Sequence, residues 1–335
     1  MLSRRPGRPP GGAPVLGPGD RKILNRKPPL RDTAAPTHSQ ARVGAPAAYA
    51  LLLVTPVLFA CNNVAARWAA GTVPPIAMAF WRWALTFLMI LPVVAGPLWS
   101  HRDLVRREFG RLFVLGGIGM AASGALVYVG AKWTPATNIG LIYGSAPALI
   151  LLLDWLVVRE PLAMRQIAGV LMCMAGVVLI VAQGDPAVLA GLKFTIGDLW
   201  IVLGAASWSI YSVLLRHLPS RLPLLPRFAG MTLAGTLALL PVYWLEIASG
   251  RTMRLDAHDI GTVAFLALVT GLGAFLAHAR LTALLGTRRT GLLLYIIPIY
   301  NAVLAMVVLG EELHLYHLAG TLMILPGVYF ATRAR

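Results

Sequence analysis

The chain is short of charge, of acid and of cysteine. Only 13% of its residues are Asp, Glu, Lys or Arg, about half the share in a water-soluble domain. A soluble core wrapped in a charged surface is therefore excluded, and 58% hydrophobic residues agree. Cys61 and Cys173 are the only cysteines, and both lie in apolar runs. No His/Cys cluster at ligand spacing surrounds them, so neither a disulfide framework nor a zinc site is expected, and they read as small packing residues. No P-loop, GxSxG elbow or paired His-Glu zinc motif occurs, so neither a membrane enzyme nor an ATP-driven pump finds support, and no cofactor is called for.

Basic residues outnumber acidic ones, 29 to 13. Such an excess would suggest nucleic acid, but its placement gives another reason. Residues 1–43 alone hold nine Lys/Arg against two Asp. Rich in Arg, Pro and Gly, this stretch cannot bury a core, and residues 1–45 are expected to be a disordered basic tail. Nucleic acid is not expected as a partner.

After the tail come ten apolar runs long enough to cross about 30 Å of hydrocarbon: 47–66, 74–97, 109–131, 136–158, 165–183, 197–216, 228–247, 259–280, 290–310 and 315–332. Residues 140–179 recur at 291–330 with no gap, and thirteen of those forty positions are identical. The matches include Pro147/Pro298, Glu160/Glu311, Gly169/Gly320 and Gly176/Gly327, which a Leu/Val bias does not produce. The same offset of 151 places Gly110 on Gly261. The chain therefore divides into a first half, 46–183, a linker, 184–196, and a second half, 197–335. Five helices per half is an odd number, so the second copy must enter the membrane from the opposite face. The expected fold is an all-α integral membrane protein of ten transmembrane helices in two inverted five-helix repeats.

Loop charge sets the orientation. With the N-terminus inside, the short inner loops and the C-terminus hold fourteen Lys/Arg and the outer loops five. By the positive-inside rule both termini are cytoplasmic.

Several stretches resemble the EamA-type family of the drug/metabolite transporter superfamily: FACNNVAAR (59–67), AFWRW (79–83), the Pro147–Glu160 helix, GDLWIVLGAASWSIYSVLLR (197–216) and the Pro298–Glu311 helix. Each motif is weak singly; their order and spacing across two halves carry the resemblance. Phe59 departs from it, since the family often has Trp there. The resemblance implies a secondary transporter of the bacterial inner (plasma) membrane that exports small metabolites, amino acids or drugs through a cavity between the halves. It leaves the substrate open. The rival reading, a membrane sensor or scaffold, has no need of duplication or of matched mid-membrane helix breaks.

Arg82 sits about 12 Å into helix two at 1.5 Å per residue, where a charge is expensive and must face the interior. It either holds a substrate carboxylate or phosphate or pins helix two to a neighbour. The corresponding stretch of helix seven carries no charge. Asp154 is a candidate proton carrier or a partner for Arg159 or another cytoplasmic base; His278 is a candidate proton carrier or an interfacial histidine. Glu160 and Glu311 stand at equivalent helix ends and read as structural caps for the helices that follow them. Pro147 and Pro298 fall mid-helix, and such paired breaks point to a transport site. Asn62, Trp81, Tyr128, Asn138, Tyr143, Trp208, Tyr211, Tyr295 and Asn301 would line it. The small-residue run 116–124 reads as close packing inside the bundle, and a homodimer stays open. Expected partners are thus a small-molecule substrate, the lipid bilayer and, as coupling ion, protons.

Overall fold

The computed structural model describes residues 38–159, 162–185, 187, 195–290 and 293–332, without the side chains of 38–48, 158, 286–290, 294, 295 and 332. Among the described residues the chain is helical throughout and has no strand. Eight helices are long and apolar enough to cross a membrane, and two shorter apolar helices, Ile296–Leu309 and Leu315–Ala331, follow them.

Helix α1 covers His38–Trp68, starting upstream of the apolar run. The tail before it lies outside the described residues. Helix α2 spans Pro75–Ser100, with proline at its first turn. The third run is longer than its apolar part. It begins at Arg102 as α3 (Arg102–Leu115), passes through a π-helical segment at Gly116–Ala122 and ends as α4 (Ser123–Gly130).

The expected fourth helix is two helices. α5 (Ala136–Gly144) stops, and α6 (Ala146–Val158) restarts with Pro147 in its first turn. Pro147 is therefore not mid-helix. A first-turn residue needs no intrahelical donor, and Ser145 closes the break by donating its hydroxyl to Ile142 O at 2.7 Å. Pro298, its counterpart, lies inside an unbroken helix (Leu293–Leu309).

The first half closes with α7 (Met164–Val181). The second half supplies α8 (Ile196–His217), α9 (Leu224–Ala248) and α10 (Ala257–Phe265). A second π-helical segment at Leu266–Gly273 leads into α11 (Ala274–Thr290), then α12 (Leu293–Leu309) and α13 (Leu315–Thr332). The two π segments coincide at the offset of 151: Gly116 falls on Ala267 and Ala122 on Gly273.

The repeat is also visible in packing. α7 and α13 run antiparallel and meet through glycine. A Cβ on Gly169 would lie 2.6 Å from Gly327 O and 2.5 Å from Ala331 N; one on Gly176 would lie 3.1 Å from Gly320 O. Gly169 corresponds to Gly320 and Gly176 to Gly327, so the two contacts are images of each other under the offset. Cys173 donates its thiol to the carbonyl of Ile324, its own counterpart, at 3.5 Å. With little hydrophobic force between helices in lipid, such backbone approach is what holds them together. α5 meets α12 similarly: a Cβ on Gly140 would strike Asn301, and one on Gly144 would lie 2.8 Å from Pro298 Cγ.

Candidate functional site

In a π segment the backbone bonds run from i to i+5, and side chains of neighbouring helices also reach its carbonyls. In the first segment, Trp83 Nε1 donates to Met120 O at 2.7 Å and Ser207 Oγ to Ile118 O at 2.9 Å. In the second, Arg82 donates to Thr270 O at 3.3 Å and Thr86 Oγ1 lies 3.2 Å from Ala267 O. Helix α2 thus touches both π segments through three residues one turn apart. The second approach is close: a Cβ on Gly271 would lie 2.3 Å from Thr86 Oγ1.

Arg82 is buried, and its guanidinium carbon lies 4.4 Å from the centre of the Trp83 ring. It donates to Tyr128 Oη at 2.9 Å; Tyr128 in turn donates to Asn62 Oδ1 at 3.0 Å. The Thr270 hydroxyl stands 3.4 Å from the same oxygen. These bonds use two of the five N–H groups of an arginine, and the buried Nε has no partner. Among the described residues no carboxylate lies within ion-pairing distance. The result is a buried cation held by neutral groups, with donors to spare. Burial of a charge is costly unless it is paired; here the Trp83 ring, Tyr128 Oη and Thr270 O stand against it.

The other expected lining residues divide. Tyr143 borders the Arg82 cluster, its hydroxyl 3.3 Å from Ser123 Oγ. Tyr211 is buried against Gly119, with Trp208 tilted beside it at 5.2 Å. Trp81 turns away and donates to Tyr243 Oη at 3.0 Å. Asn138 and Asn301 belong to a separate cluster near the start of α5: Asn301 Nδ2 donates to Ala136 O, and Asn138 Oδ1 bonds His317. The side chain of Tyr295 and the whole of Glu160 lie outside the described residues.

Asp154 bonds Arg216 at 2.6 Å and His217 at 2.9 Å at a partly exposed helix end. His278 is exposed, edge-on to Phe59 at 6.2 Å.

Glu311 is a cap, but not of the helix that follows it. It accepts from Ala136 N at 2.6 Å, Thr137 N at 2.9 Å and Thr137 Oγ1 at 2.8 Å, at the start of α5 in the other half. The exposed N–H groups and positive end of α5 are the nearest complement to its charge. Two further acids act likewise across the halves. Glu246 of α9 caps α2 at Ile76 N (3.2 Å) and Ala77 N (2.7 Å), and Glu108 of α3 accepts from Arg221 N at 3.2 Å before α9. These two, with Thr86, Thr270, Asp198 and His317, are residues that sequence reasoning did not single out.

Two open clefts lie away from Arg82. One of about 440 Å3 is apolar and bordered by Cys61, Trp68, Phe265 and Val308. The other, of about 500 Å3, is bordered by Arg67, Lys132, Pro135 and Glu311.

A family model described as the EamA-like transporter family matches residues 46–182 and again 195–333. YyaM, an uncharacterized transporter of Bacillus subtilis, is 24% identical over 284 residues, covering 85% of this chain and 93% of the relative. A "Probable terminal-alkyne amino-acid exporter" of Streptantibioticus cattleyicolor is 28% identical, covering 72% of this chain and 79% of its own. A "Probable amino-acid metabolite efflux pump" of Salmonella typhimurium is 26% identical over 83% of this chain and 92% of its own. A solved crystal structure shares the fold, with a TM-score of 0.57 at 19% identity, covering 85% of this chain and 97% of that one.

Proposed function

The chain belongs to the EamA-like transporter family, and from that premise we propose that it is a secondary active exporter of small molecules bearing an anionic group, with Arg82 as the anchor for that group. The observation that carries this reading is the buried guanidinium with unused donors and no carboxylate among the described residues within ion-pairing distance. The planar fork of arginine suits a carboxylate, which every amino acid and organic acid offers. The names of two relatives as amino-acid exporters lend support.

The mechanism we propose is alternating access by two inverted five-helix halves, ten spans in all. Its support is the family model matching twice, the π segments coinciding at one offset, and the mirrored glycine contacts of α7 and α13. Arg82 and Tyr128 are buried, so a substrate reaches them only when α2 and the π segments part. The break at Ser145 and the proline inside α12 give α5–α6 and α12 places to bend. In this reading both termini lie in the cytoplasm, which the loop charges support, and the membrane is the bacterial inner membrane.

The test is ligand-induced thermal stabilisation of the purified protein across amino acids, organic anions, nucleotide sugars and cationic drugs. A ligand at 100 times its Kd adds about 2.7 kcal/mol. A hit among carboxylates that disappears in folded Arg82→Gln supports the anchor. Hits confined to hydrophobic cations refute it and move the function to drug efflux.

A further inference from the structure

The second polar cluster lies where the N-terminal ends of α5, α8 and α13 meet. His317 in the first turn of α13 is buried, and its ring is committed to one protonation state. Nδ1 accepts from His314 N at 2.9 Å, so it carries no proton. The neutral ring must then carry its proton on Nε2, which donates to Asn138 Oδ1 at 3.0 Å. The Asn138 side-chain nitrogen, also buried, faces Asp198. Asp198 is fully buried on α8 and is held by the hydroxyls of Thr134, at 3.0 Å, and Thr195. The chain His317–Asn138–Asp198 therefore ties α13 to α5 and α8.

We propose that this cluster is a proton-binding site, with His317 Nδ1 as the atom that takes the proton. Added there, a proton turns the acceptor of His314 N–H into a donor. Both ring nitrogens then donate, the cap of α13 is lost, and the ring must turn to a new acceptor. The charges facing it define that turn. Glu311, at the end of α12, is the nearby anion and already caps α5; Asp198 stands beyond Asn138. On its own element the exposed His314 stacks at 5.6 Å and the ring of Tyr316 lies at 4.2 Å. Arg67 and Lys132 border the open cleft shared with Glu311. Drawing Glu311 toward an imidazolium uncaps α5 as well, so one proton loosens the first turns of two helices, one from each half. As the coupling site of a transporter, this assignment rests on the reading given above; as a proton switch it stands by itself.

The experiment is hydrogen–deuterium exchange of the full-length protein in detergent, with no substrate, from about pH 8 to about pH 4, through and below the ordinary range of histidine. Rates are corrected for intrinsic exchange. In the wild type, protection of the first turns of α13 and α5 should fall about fivefold at the acid end, the size of one lost cap. In His317→Gln, whose amide both accepts from His314 N–H and donates to Asn138, protection should stay flat. A pH-independent turn in the wild type overturns the proposal, as does an equal fall in His317→Gln. If that variant does not fold, the wild-type exchange still decides, joined to 15N ring shifts. One histidine must pass from the Nε2–H tautomer to imidazolium over the range in which the turn opens, and its failure to do so overturns the site. No substrate is involved, so these outcomes are independent of the Arg82 screen.

Discussion

The seam between α7 and α13 and the seam between α2 and the second π segment join the same two halves by opposite means. The first is apolar and symmetric: glycine meets glycine at image positions, and Cys173 meets its own counterpart Ile324. The second is polar and one-sided. Arg82, Trp83 and Thr86 of α2 reach both π segments, while the matching stretch of α9 carries no charge. A duplicated chain keeps its symmetry where backbone contact alone holds it, because any side chain added on either copy would collide. It can lose symmetry where side chains carry the contact, since each copy of the helix is free to change. The scaffold is therefore twofold in character and the polar contacts of α2 are not.

The comparison can be broken at several points, the first of which carries the largest effect. Gly169→Leu drives a side chain into Gly327 O and Ala331 N; overpacking of this kind costs about 3 kcal/mol or more, read as a lowered unfolding midpoint in a denaturant titration. Gly110→Ala is its control, since nothing lies within 4 Å of the added Cβ, and the midpoint should not fall.

Next comes the polar seam. Arg82→Gln should abolish the ligand-induced gain of about 2.7 kcal/mol at saturating ligand, measured by thermal shift, and Arg82→Lys should not restore it, because a point charge does not reproduce the fork. Retention of the gain in either variant would place the anion elsewhere.

Glu311→Gln keeps the shape of the cap and removes its charge. The start of α5 should lose about 1 kcal/mol, seen as faster exchange at Ala136 and Thr137, with α7 and α13 unaffected. Smallest is Thr86→Val. It deletes one hydrogen-bonding hydroxyl inside the membrane, for which about 0.6 kcal/mol is typical, read in the same denaturant titration. A loss equal to that of Gly169→Leu would show that the polar seam, not the glycine seam, holds the halves together.

The sites were legible to different degrees. Arg82 stood out because a lone charge in an apolar run has few explanations, and Asn62 and Tyr128 do surround it. Asn138 and Asn301 were grouped with it by type, yet they lie in the cluster of His317 and Ala136, because polar residues on separate helices carry no mark of which cluster they join. Glu311 was read as a cap from its place at a helix end, but its partner is 175 residues away in sequence, and only the crossing of helices selects which N-terminus it meets. Pro147 and Pro298 looked equivalent; the break falls at one of them, where Ser145 is able to close the gap.

Composition and periodicity by themselves determined that this chain is a membrane protein built from long apolar helices, and internal identity at one offset determined that it is a duplication. Those properties are local or additive, and each residue contributes without reference to a distant partner. Which side chains reach the carbonyls of the π segments and which carboxylate caps which helix were decided only by tertiary structure. Each depends on two helices far apart in sequence arriving within hydrogen-bonding distance, and the packing of small residues sets that distance.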